Sequence, residues 1–447
     1  MAKEFILNHF DLDGPGHQSC GLWRHPRDRS AEYTTIEYWM ELAKLLERGL
    51  FDGIFLADVS GVYDVYGNSP DAALRTATQA PVNDPFTLVP AMAAVTQNLC
   101  FGVTGSIPYE HPYAFARRLS SLDHLTKGRI AWNVVTGYLD SAARAFGQRQ
   151  QPTHDVRYDI ADEYMDLVYK LWEGSWADDA VVRDRDAGVF TRPERVRRIE
   201  HKGEYFNLSA IHLCEPSPQR SPVIFQAGSS PKGQTFGARH AECVFVAGSD
   251  PQAVGQRVQA LRAEAQAYGR DPGDIKVFAI MCLVIDETDA RAKARLAEYE
   301  AYGQPEGALA LLSGWLGIDL SAFDMDQPVD AIPTQAIQSL MRGVKARTPR
   351  EWGQTLVVGG AAPVLSGSPQ TVADALQSWF EVSGVDGFNL AYTVMPESVE
   401  AIVDLLIPEL QKRGVYKTRY APGTMREKLF QRGPRLSAPH PAAAYRF

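Results

Sequence analysis

LCFGVTGSIPYEHPYAFARRLSSLDHLTKGRIAWNVVT, residues 99–136, reads as one strand–helix–strand unit. Leu99–Ile107 and Arg129–Thr136 are nearly continuous apolar runs. Strands of a parallel sheet covered on both faces have this character. Between them His111–Leu125 keeps helical spacing and stops before Thr126-Lys127-Gly128. The same alternation recurs along the chain. Further strand-like runs are Phe5–Phe10, Phe51–Ala57, Pro222–Gly228, Cys243–Gly248, Ile275–Ile285 and Gly387–Thr393. Helical patterns fall on Tyr38–Leu50, Asp84–Gln97, Asp155–Trp172, Lys232–His240, Gln252–Tyr268, Gln370–Ser383 and Glu397–Arg413. Asp84 precedes Pro85, the pairing of a helix cap with proline at the first helical position. Eight strands, each followed by a helix, predict an α/β fold of the (β/α)8 TIM-barrel type. An open doubly wound sheet would need a glycine fingerprint after the first strand, and Phe10–Gly16 has none.

The expectation is one barrel domain over residues 1–447 with two long insertions, about 176–221 and 286–369. Connections this long carry function or elements of their own, and both are expected mostly over the catalytic mouth. The second reads as a lid with helices near Ala290–Tyr302 and Gln335–Arg347. The tail, 415–447, reads as extended and polar. A net charge of −9 without a basic stripe argues against nucleic acid as a partner. The apolar runs are too short to span a membrane, and the N-terminus lacks a signal-peptide core. The five cysteines form no C-x-x-C pair, and Cys100, Cys243 and Cys282 sit in apolar runs. These features predict a cytoplasmic protein with buried free thiols.

A barrel builds its site at the carboxyl ends of its strands. Here those ends carry His9, Asp11, Asp58, Thr104, Ser106, Asn133, Thr136, Gly228, Ser229, Ser230 and Tyr392, with His17, Tyr63, Tyr109 and Tyr138 just beyond. No zinc motif, nucleophile elbow or phosphate loop of the Walker type is present, and no metal site is expected. Uncharged polar and aromatic rims suit a flat conjugated cofactor with a phosphate tail. Gln226-Ala227-Gly228-Ser229-Ser230-Pro231-Lys232-Gly233 joins a strand to a helix, where free amides and hydroxyls can hold an anion. The alternative is that the serines only cap the helix. His154 and Tyr158, four apart, share a helix face and can reach one ligand or simply cap and pack. Asp58 can bond a ring or hydroxyl, or cap the following turn.

The stretches GLWRHP (21–26), LERGLFDGIFLADV (46–59), YDVYGNS (63–69), PVNDP (81–85), residues 109–142, residues 154–185 and HLCEPSPQRSPVIFQAGSS (212–230) are recognisable as strings. With ARHAECVFV (238–246), DGFNLAYT (386–393) and PELQKRG (408–414), they extend over nearly the whole chain. The chain resembles the bacterial-luciferase-like flavin monooxygenases. Within them it is similar to the nitrilotriacetate and dibenzothiophene-sulfone group, above all to long-chain alkane and dimethyl-sulfide monooxygenases. The resemblance implies a flavoprotein using reduced FMN and O2, supplied by a separate flavin reductase, and a homodimer or homotetramer. It places flavin contacts on Asp58, Thr104, Asn133, His154, Tyr158, Ser229 and Ser230, and catalytic roles on His17 and Tyr63. Gly14 stands where the alkane enzymes have a catalytic cysteine, and Leu311 falls near the position of a later histidine. The substrate expected is a small thioether or other organosulfur compound. Oxidative cleavage of a heterocycle such as a flavin and alkane hydroxylation are the alternatives. A deazaflavin-dependent dehydrogenase, a hydrolase and a non-enzymatic flavin-binding protein are the rivals from other classes.

Overall fold

The computed structural model describes residues 4–228, 230–329 and 347–447. Eight parallel strands form its centre: β1 (Ile6–Leu12), β2 (Gly53–Ala57), β3 (Cys100–Ser106), β4 (Ile130–Val135), β5 (Val223–Gln226), β6 (Cys243–Val246), β7 (Lys276–Ile285) and β8 (Gly387–Ala391). They pair in chain order, and β8 pairs back to β1, so the sheet closes into a barrel. Register sets Phe10 of β1 opposite Phe55 of β2 and Ala391 of β8. An additional strand, Val364–Gly367, pairs with the outer half of β7.

Alternation along each strand separates two cores. Inside, Phe10, Phe55, Phe225, Phe245 and Phe278 fill the barrel, with ring centroids 4.3 Å apart for Phe55–Phe245 and 5.4 Å for Phe10–Phe55. Outside, Ile54, Leu56, Phe101, Val103, Trp132 and Val134 pack beneath the helices. Apolar burial on both faces is the reason the strands read as unbroken runs.

The outer helices include Ile36–Arg48, Pro112–Leu125, His154–Tyr169, Pro231–His240, Pro251–Ala267 and Pro369–Ser383. The single helix expected over Asp84–Gln97 is two pieces, a 3-10 turn Pro85–Thr87 and a helix Val89–Ala94. Pro90 has no N–H to give to the carbonyl four residues back, so the helix cannot run through.

The two insertions differ. The first follows a helix and so lies on the amino-terminal side of the barrel, not over the mouth. Its hairpins Val181–Asp184/Val189–Thr191 and Ile199–Lys202/Asn207–Ala210 are followed by a loop tied to Asp123 through Gln219. The second follows β7 and does roof the mouth, with helices Asp289–Tyr302, Pro305–Leu316 and Pro349–Thr355. The helix expected at Gln335–Arg347 falls on residues outside those described. The tail is not simply extended: it carries a helix, Met425–Phe430, whose Met425 and Leu429 plug the amino-terminal end of the barrel.

Candidate active site

At the carboxyl rim of β2–β5 lie two adjoining cavities, of about 230 and 500 Å³. Asp58, Val59, Ser60, Ser106 and Tyr109 line both. The strand ends put them there: β2 runs out at Ala57 and β3 at Ser106, so the next residues bend over the mouth. Asp58 lacks a cationic partner among the described residues, and its carboxyl is pushed up to about 7 by burial and by Asp84, Asp13 and Glu110. Thr104 lines the larger cavity, and its Oγ1 accepts a hydrogen bond from Asn133 Nδ2 at 2.9 Å. Asn133 therefore stands behind the wall and orients Thr104.

The smaller cavity ends where β5 turns into the helix Pro231–His240. A Cβ at Gly228 would stand 2.6 Å from the Tyr158 hydroxyl, and one at Gly233 would meet it at the same distance. Glycine at both positions leaves a cradle bounded by backbone, Tyr158 and Ser230. Ser230 caps the helix, its Oγ accepting from Gly233 N at 3.1 Å, so the capping reading is correct and does not exclude a second role. The hydroxyl of Tyr158 faces Ser230, Thr136 and Gln226. His154 opens the helix His154–Tyr169, and its ring lies 5.2 Å from that of Tyr158, as their spacing requires. His154 Nδ1 and Asp155 Oδ1 are 2.8 Å apart. Ser229 lies outside the described residues.

Arg157 was not singled out in the sequence, where it stands between His154 and Tyr158 with no role assigned. In the structure it is 6% exposed and lines the small cavity. Burial lowers its pKa, and Asp140, a carboxylate whose field it feels, is engaged by Gln151 N at 3.0 Å. The signal that could have found it is its place one residue before Tyr158 at the start of a helix aimed at the rim.

His17 and Tyr63 sit one layer behind. Both are almost fully buried, and neither lines the two cavities. His17 packs edge-on against Phe10 at 4.3 Å, and burial pushes its imidazole down to about 4, which keeps it neutral. The hydroxyl of Tyr63 bonds that of Tyr138, and Tyr138 does line the small cavity. Gln79 bridges the layers: its Oε1 accepts from Tyr63 Oη at 3.4 Å, and its Nε2 donates to the His17 carbonyl at 3.5 Å. Burial holds Tyr63 well above 10 and Tyr138 at about 12, so both remain hydroxyl donors. Sequence position alone could not distinguish a wall residue from the residue behind it.

The donor set fits a flavin phosphate and ring. Ser106 Oγ, Gln226 Oε1 and Arg157 Nε are buried at the cavity wall without a protein partner, and the glycine cradle abuts them. Buried polar atoms are usually paired, so several unpaired ones on the wall of one cavity mark a place for a polar ligand. Among the described residues there is no cluster of metal-binding side chains and no helix long and apolar enough to cross a membrane.

Comparison with known proteins agrees with this fold. Residues 19–387 match the family model for luciferase-like monooxygenases. The dimethyl-sulfide monooxygenase of Hyphomicrobium sulfonivorans is 49% identical over 100% of this chain and 94% of its own. The long-chain alkane monooxygenase of Geobacillus thermodenitrificans is 48% identical over 100% of this chain and 99% of its own. A riboflavin lyase, solved with modified FMN and riboflavin, superposes with a TM-score of 0.94 at 38% identity, covering 100% of both chains. The closed parallel barrel, the glycine cradle at its rim and full-length identity near one half lead to one conclusion: this chain belongs to the luciferase-like monooxygenase family.

Proposed function

We propose that the chain is the oxygenase of a two-component system. Reduced FMN from a separate flavin reductase binds in the rim cavity, and one atom of O2 is transferred to a small organosulfur compound, first of all a thioether. The observation that carries this reading is the cradle of Gly228, Gly233, Ser230 and Tyr158 with the buried cation Arg157 beside it. Glycine permits close backbone approach, the helix start offers amides, and Arg157 supplies the counter-charge a phosphate needs. Ser229 would add a second hydroxyl. His154, Asp58 and Thr104 extend from this point along the remaining length of a flavin. When bound, FMN supplies the two electrons that activate O2. The chain's own residues do the rest. Val59, Val134, Leu139 and Ala142 keep that wall apolar and exclude water. Tyr138 lines the cavity with its hydroxyl bonded to that of Tyr63, and a turn of that hydroxyl would let it donate to oxygen or substrate.

Two positions favour a substrate other than a long alkane. A Cβ at Gly14 would stand 2.7 Å from the Pro81 carbonyl, so this backbone leaves no room for a cysteine there. Leu311 is buried in the apolar roof, where a histidine would lack a partner. The dimethyl-sulfide relative points to thioethers. A second reading, oxidative cleavage of a flavin-like heterocycle, is favoured by the larger cavity of about 500 Å³ and by the riboflavin lyase.

The test is turnover with photoreduced FMN under 18O2, first with dimethyl sulfide and then with riboflavin. One labelled oxygen in the product above the protein-free background is the expected result for one of the two. Absence of label from both, with FMN shown to be bound, rejects both substrate readings.

A further inference from the structure

The two rim cavities differ in the charged side chains that line them. The smaller holds the Arg157 guanidinium and the His154 ring, with Asp58 on the wall it shares with its neighbour. The larger is lined by three carboxylates, Asp58, Asp84 and Glu110, and by no lysine, arginine or histidine. Glu110 is paired with Arg118 at 2.6 Å, which offsets part of its charge, and Arg118 lies over the ring of Phe86. Asp84 spends one oxygen on Phe86 N, at 3.0 Å, and like Asp58 has no cationic partner among the described residues. Their fields reach the common wall: burial first, then Asp84 and Glu110, raise the pKa of Asp58 to about 7, so at neutral pH Asp58 carries its charge only in part. The remaining lining includes Val62, Ala80, Val82, Phe86 and Phe146, apolar surfaces suited to a small uncharged group.

Resting on the flavin reading above, we infer that the part of the larger cavity beyond the flavin ring at Thr104 is the substrate vestibule, and that Asp84 and Glu110, with Asp58 on the shared wall, make it a charge filter. It admits neutral and cationic organic molecules and turns away carboxylates and sulfonates. The same gradient orients the cofactor, drawing the phosphate to Arg157 and away from the vestibule. Asp84 is solvent-exposed, so each charge acts partly through water and is screened by salt. Two or three together give about threefold to tenfold discrimination at low ionic strength.

The test reads local charge without turnover. Val82, in the vestibule wall, is changed to cysteine, and its alkylation by neutral iodoacetamide and anionic iodoacetate is followed by peptide mass spectrometry. Four of the native thiols are buried and Cys214 is partly so, and mapping separates all five from position 82. Any shift in the thiol's own pKa affects both reagents equally and leaves their ratio unchanged. The iodoacetamide-to-iodoacetate ratio is expected to be about threefold to tenfold above that of free cysteine, and to fall to the free value in 1 M salt. Adding Asp84→Asn and Glu110→Gln should return it most of the way; asparagine keeps the helix cap, so the local fold survives. Val62→Cys provides a second reporter on the same wall. A ratio equal to that of free cysteine at both positions, or one that ignores loss of the carboxylates, overturns the filter. FMN titration of the same proteins separates the two claims: binding with a neutral ratio sinks only the filter, and a high ratio without binding sinks only the flavin reading.

Discussion

Arg157 carries the largest consequence of any single side chain. A buried guanidinium lining the cavity that ends at Gly228 can make charge-assisted hydrogen bonds to a phosphate bound there. Such bonds contribute about 1.5–3 kcal/mol, so Arg157→Ala should raise the Kd for FMN by about tenfold to a hundredfold. Tyr158→Phe, which removes one neutral hydroxyl, should cost about tenfold or less; fluorescence titration measures both. Asp13 predicts a pH effect of a different kind. Its carboxyl is buried without a hydrogen-bond partner and is pushed up from 3.8 to about 7 by burial, Asp11 and Asp84. The folded chain therefore holds that proton more tightly than the unfolded chain does. The resulting stabilisation is complete below about pH 4 and is lost as the pH rises through 7. Asp13→Asn abolishes the titration. Its unfolding free energy should fall by about 2 kcal/mol less than that of the parent between pH 5 and pH 8, as followed by denaturant melts.

Glycines decide how closely elements approach. Gly228→Ala sets a methyl 2.6 Å from the Tyr158 hydroxyl and against the Gln226 amide, so it should weaken FMN binding by about tenfold or more while the barrel persists. Circular dichroism with FMN titration checks both halves of that statement. The elements themselves were legible to different degrees. All eight strands were visible because each is buried on both faces and most are apolar throughout, and Ser230 was visible because a strand–turn–helix junction has a recognisable pattern. The helix Pro305–Leu316 was not. Every residue from Gly307 to Leu316 is buried, so it lacks the polar face from which helical periodicity is read. Gly314 brings its backbone onto the ring of Tyr63, which explains why Tyr63 lies beneath a roof and reaches the cavity through Tyr138. The strings 154–158 and 226–233 suggested an anion-binding corner, but only three dimensions bring Arg157 and Gln226 into the lining of one cavity.

At the scale of the whole molecule the barrel has a working mouth and a sealed floor. Arg426, from the tail helix, pairs with Glu242 below β5 and β6, with Nε–Oε1 at 2.6 Å and Nη2–Oε2 at 2.9 Å. It also donates to the carbonyls of Ser221, Pro222 and Pro434. Removing one partner leaves a buried charge, so Arg426→Met should destabilise the fold by about 3–5 kcal/mol, and the thermal midpoint should fall accordingly. Flavin affinity at a temperature where the variant is still folded should be almost unchanged, because floor and mouth lie at opposite ends of the barrel. The most direct measurement of the central claim is a crystal structure of the protein soaked with FMN. The phosphate should lie within hydrogen-bond distance of Ser230, Tyr158 and Arg157, with the ring system reaching Asp58. FMN seated elsewhere, or a clean cradle at saturating FMN, would contradict the account.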